Sequence, residues 1–135
     1  MRLSALYRLA RTGLIATLLA LLLTGPGVAQ RRSTADDRPY DDRLMRLSEI
    51  LGAVHYLREL CGAEEGQIWR KQMEELVNVE GTTAIRRAKL VKGFNKGYRG
   101  YRRTYRSCTD PARTAIDRFM EEGEQIATVL VQQNR

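Results

Sequence analysis

Among its 135 residues the chain has a single histidine and two cysteines. With only His55, a metal site built on paired imidazoles is excluded, as is a relay of two histidines, and no metal or cofactor is expected. There is no Cys-x-x-Cys, so a redox dithiol has little support. No segment alternates apolar and polar residues over a useful length, and no internal repeat is found, which leaves no sheet to predict. The Gly-x-Ser-x-Gly of a nucleophile elbow is missing, and the Gly93, Gly97, Gly100 set lies within a helical pattern rather than a phosphate-binding loop. The most telling absence is local. Between Gly81 and Thr109 there is no Asp or Glu, while nine Lys and Arg occur.

What is present begins with an export signal. Arg2, Arg8 and Arg11 precede an apolar run, Gly13 to Leu23, that is about half the length needed to cross a bilayer. Thr24-Gly25-Pro26 breaks it, and Val28-Ala29 lies among small residues suited to cleavage before Gln30. Residues 1–29 therefore read as a Sec-type signal peptide and imply a periplasmic protein; a retained anchor is the rival reading, and the short run argues against it. Removal of these residues leaves 20 basic and 16 acidic side chains. In an oxidising compartment the two cysteines allow one intramolecular pairing, Cys61 with Cys108.

Residues 30–42 are polar, mixed in charge and read as a flexible leader. Residues 43–135 read as one all-α domain, a small four-helix bundle with a disulfide between the ends of helices one and three. The first helix is expected from Asp41 to Leu60, with Leu44, Leu47, Leu51, Val54 and Leu57 inward and Cys61-Gly62 as its stop. A second runs from Glu64 to Val79 with Ile68, Trp69, Met73, Leu76 and Val77 inward. The third spans Thr83 or Ala84 to about Ser107. Thr109-Asp110-Pro111 starts the fourth, which turns Ile116, Phe119, Met120, Ile126 and Leu130 inward.

At about 100° per residue, the third helix divides into stripes. Leu90, Phe94, Tyr98, Tyr101, Tyr105 and Cys108 form a core stripe. Gly93, Gly97 and Gly100 lie beside it and cost about 1 kcal/mol each relative to alanine. They imply either a close approach by another backbone or a kink. Lys89, Lys92, Lys96, Arg99, Arg103 and Arg106 run along the back of a basic face covering about residues 86–106. With no local carboxylate to relieve their repulsion, an anionic partner or an acidic neighbouring helix is expected. Behind a signal peptide that partner is an envelope protein or an anionic envelope surface rather than nucleic acid. His55, Tyr56 and Arg58 offer a second patch.

Leu51 to Gly62 (LGAVHYLRELCG), followed by Trp69 and Met73, and Phe94 to Thr109 (FNKGYRGYRRTYRSCT) resemble a family of small exported alphaproteobacterial proteins of unknown function. The resemblance implies a stand-alone exported domain and supplies no catalytic residues. The favoured function is thus a non-enzymatic binding or adaptor protein of the envelope. The alternative is a small cell-wall hydrolase centred on His55 and Glu59, with Ser48 two turns before the histidine.

Overall fold

The structure, a computed structural model, describes residues 37–133. The expected signal peptide, residues 1–29, and the first part of the expected leader lie outside these residues. Four helices follow one another: α1 (Asp41–Leu60), α2 (Ile68–Glu80), α3 (Ala84–Thr104) and α4 (Asp110–Gln133). Among the described residues there is no strand, and no helix is long and apolar enough to cross a membrane.

Local chemistry accounts for the ends. Gly62 takes the left-handed conformation at φ 76°, so its N–H reaches the Glu59 carbonyl at 3.1 Å and the Ala63 N–H reaches that of Arg58 at 2.9 Å. This pair satisfies two of α1's orphan carbonyls. The second helix starts four residues later than its pattern predicts, because Gly66 also adopts a left-handed φ of 55° and the chain turns until Gln67. Thr83 caps α3 by accepting from the Arg86 N–H at 3.2 Å. That helix ends at Thr104 instead of Ser107, since Tyr105 is extended and its carbonyl accepts from the Tyr56 hydroxyl at 2.6 Å. Thr109 begins α4 by accepting from the Ala112 N–H at 3.3 Å.

The first helix is the hub. It packs against each of the other three, whereas the backbones of α2 and α4 do not approach one another. Its buried residues include Ile50, Ala53, His55 and Ser48 as well as the expected Leu44, Val54 and Leu57, so it is covered on several sides rather than along one stripe. Two clusters make up the core. Ile50, Ala53, Val54 and Leu57 meet Ala112, Ile116 and Phe119 near one end. Leu44, Met73, Leu90, Phe94 and Leu130 meet near the other. Ile68 and Met120, expected inward, are instead 47% and 40% exposed; Met120 stands on the wall of the gap between α2 and α4, which have no contact across it.

The closest pairing is between α1 and α3, which run in the same direction. Ser48 lies against Gly93, the Glu49 carbonyl against Gly97 and the Phe94 carbonyl against Gly52. A Cβ on Gly97 would fall on the Glu49 carbonyl oxygen and 2.9 Å from the Ala53 nitrogen. The glycine stripe is therefore a close-approach face at Gly93 and Gly97, met by Gly52 from α1. In an up-down bundle the first and third helices are diagonal partners. Drawing them together leaves α2 and α4 apart. Gly100 plays no part, since a Cβ there would meet nothing within 4 Å. Gly97→Ala is expected to lower stability by about 2–3 kcal/mol despite its better helix propensity, while Gly100→Ala raises it by about 0.5–1 kcal/mol. Urea unfolding of the two variants measures the difference in sign.

The disulfide joins Cys61 to Cys108 with their Cα atoms 4.9 Å apart. Cys61 is the residue after α1, as expected, but Cys108 lies in the short connection between α3 and α4 rather than at the end of α3. The described end of the expected leader, residues 37–42, packs on the helices. Arg38 and Tyr40 hydrogen-bond to Glu80 at 3.3 and 3.1 Å, while Asp41 and Asp42 open α1.

Candidate functional site

The basic face on α3 divides once the tertiary contacts are in place. Arg86 does not belong to it. Its side chain is 1% exposed and donates through Nη1 to both carboxylate oxygens of Asp41 at 2.8 Å and through Nε to the Glu80 carbonyl at 2.9 Å. The Glu80 carboxylate adds a contact at 3.4 Å. Lys89 reaches Asp37 at 3.0 Å, and Lys96 reaches Glu49 at 3.0 Å. These two are surface pairs of small energetic weight. Lys92, Arg99, Arg103 and Arg106 remain exposed, and none of them pairs with a carboxylate among the described residues. Arg102 is exposed beside them. The prediction of an acidic neighbour is thus met for Lys89 and Lys96, while Lys92 between them, Arg99 and Arg103 further along, and Arg106 beyond the helix end have no ion pair among the described residues.

The second patch is not a free surface. His55 is buried at 4% exposure, with its ring 5.9 Å from Phe94 and 5.8 Å from Tyr98. α3 covers that side of α1 because the glycines let it come close. Tyr56 spends its hydroxyl on the Tyr105 carbonyl and stands edge-on to Tyr98 at 5.5 Å. Arg58 is held by the carboxylate of Glu65, to which its Nε donates at 3.1 Å, and the Trp69 indole donates to the same carboxylate at 2.6 Å. The Arg58 hydrogen bond, above all, holds the Glu65 carboxyl below its ordinary range.

Ser48 is not brought to His55, while the Glu59 charge does act on the imidazole. Ser48 and His55 are two turns apart on one helix, roughly 10 Å along its axis. The Ser48 hydroxyl donates to the Met45 carbonyl at 2.7 Å, and Glu59 is exposed. Among the described residues no cluster of three or more His, Cys, Asp or Glu could hold a metal ion.

Burial, followed by the charge of Arg70, lowers the His55 pKa, and Glu59 opposes the change. The folded state therefore prefers neutral imidazole more strongly than the unfolded chain does. Stability from this source is complete above the ordinary histidine value of about 6.5 and declines as pH falls through and below it. Glu65 and Glu122 are shifted downward, Glu122 chiefly by its hydrogen bond from Arg46. Their contribution is lost lower, as pH falls below the ordinary carboxylate range of about 4–4.5. In His55→Gln the loss of stability between about pH 6.5 and 5 is expected to disappear while the steeper acid limb remains. Thermal melting across that range checks it.

No curated protein and no solved structure matches the chain. A family model described as "Protein of unknown function (DUF2385)" matches residues 39–134. That span takes in all four helices, both cysteines, the buried Arg86 and the exposed cations of α3, and on it the chain belongs to this family of proteins of unknown function.

Proposed function

We propose that the protein is a non-enzymatic binding or adaptor protein of the cell envelope, contacting an anionic surface or acidic partner through the exposed cations of α3. One observation carries this reading. Lys92, Arg99 and Arg103 lie along one side of α3, and Arg106, which the sequence pattern put on the same stripe, falls just beyond the helix end at Thr104; none of the four has an ion-pair partner among the described residues. Their mutual repulsion is a standing cost that an anionic partner relieves. The export signal read in residues 1–29 supports an envelope partner over nucleic acid. Tyr98 and Tyr101, half-buried beside these cations, supply polar tips at the edge of the contact.

The test is charge reversal. Cations near an anionic surface contribute about 1 kcal/mol each. The triple variant Lys92→Glu, Arg99→Glu and Arg103→Glu should bind vesicles containing anionic lipid at least about 100-fold more weakly than the parent. It should also lose crosslinked envelope partners while melting at a similar temperature. Unchanged vesicle binding together with unchanged crosslinks would sink the reading.

A further inference from the structure

The gap between α2 and α4 is a groove of about 1060 Å³. Its floor is α1, through Leu44, Leu47, Ile50, Leu51 and Val54, with Trp69, Leu76 and Val79 on one wall and Met120, Ala127 and Val131 on the other. Three of the large apolar side chains exposed on the described surface, Val79 at 72%, Met120 and Val131, stand on these walls. Every charged residue lining the groove is acidic: Glu75, Glu80, Glu121 and Glu124. Glu80 is taken by Arg38 and Arg86. The other three carry no ion pair among the described residues. In a chain of net charge +7, a long apolar trough edged only by carboxylates is the opposite of the α3 face.

We propose that this groove docks an amphipathic, positively charged helix of a partner protein, its apolar stripe on the α1 floor and its Lys or Arg flanks against Glu75, Glu121 and Glu124. The groove is the place a fifth helix would take. Its walls are helices and present no open sheet edge to pair with an extended peptide. An occupant must therefore satisfy its own backbone, which a helix does. The carboxylate edge disfavours a lipid with an anionic headgroup and favours cationic flanks. A second copy presenting the same groove would bring carboxylates against carboxylates. This inference is independent of the α3 reading, since it concerns another face.

Trp69 is the only tryptophan and lines the groove, so its fluorescence reports occupancy. The probe is a synthetic helix of about 18 residues, roughly five turns, with a leucine stripe and lysine flanks. Its counterpart carries glutamate at the same flanks. The purified protein should shift its Trp69 emission with the lysine peptide and bind the glutamate peptide, by the same signal, at least about tenfold more weakly at low salt. Met120→Lys and Glu121→Lys/Glu124→Lys, all at exposed positions, should each weaken the lysine peptide at least about tenfold. Lys92→Glu on the far face should leave it unchanged. Equal response to both peptides, or indifference to Met120→Lys, would overturn the proposal. So would a dimer, seen by sedimentation, that Met120→Lys dissolves, because the groove would then be a self-interface.

Discussion

Replacing Arg86 with methionine is expected to cost about 3 kcal/mol, the low end for removing the buried cation of an ion pair, because its carboxylates, Asp41 and Glu80, are only partly buried. Against a typical total of about 5–15 kcal/mol this is enough to populate the unfolded state. The guanidinium joins the start of α1 through Asp41, the end of α2 through the Glu80 carbonyl and carboxylate, and the start of α3 on which it stands. Tyr40 and Arg38 donate to the same Glu80 oxygen, Oε2, that Arg86 contacts. Lysine is expected to rescue only part of the loss, because one ammonium cannot reproduce the fork that spans both Asp41 oxygens and a backbone carbonyl. A double-mutant cycle with Asp41→Asn, read by urea unfolding, separates the coupling from the packing loss. A cost under about 1 kcal/mol for Arg86→Met would show that the cluster is solvated.

The second large effect belongs to the disulfide. Cys61→Ser with Cys108→Ser opens a loop whose ends are 47 residues apart, and the loop-entropy model puts the loss at roughly 4 kcal/mol. The same cost should follow reduction of the parent protein, so melting with and without reductant checks it without a mutation. The effect of Gly97→Ala should add to it. The Tyr56 hydrogen bond to Tyr105 lies between the disulfide and the helix crossing, so Tyr56→Phe should couple with the cysteine pair and fail to add.

The helices could be read in advance because their ends are written locally. Gly62 supplies a left-handed stop, Thr83 a cap, and Thr109-Asp110-Pro111 a start. The disulfide could be read because two cysteines have one way to pair. The face of α1 could not be read well, since a stripe search finds Leu44 and Leu57 but not Ile50 or Ala53, which are buried because three helices surround it. Arg86 was indistinguishable from its neighbours in a run of cations; its burial depends on Asp41, which is 45 positions away. The partners of Lys89 and Lys96 likewise lie on other elements. His55 reads as part of an open patch in the sequence, and only the close approach of α3 buries it. The groove was invisible for a related reason. Met120 fits an inward stripe, and only the missing contact between α2 and α4 leaves it in solvent.

The parallel pair α1 and α3 is clamped at both ends. Arg86 and Asp41 tie their starts together, and the Cys61–Cys108 bridge ties the residue just after α1 to the segment just beyond α3. A slip of one helix past the other by a single turn, about 5.4 Å, would have to break both fastenings and lift Gly93 and Gly97 out of register with Ser48 and Glu49. The pair is thus a strut that does not slide by a turn, and α2 and α4, the two walls of the groove, are joined through it rather than to one another.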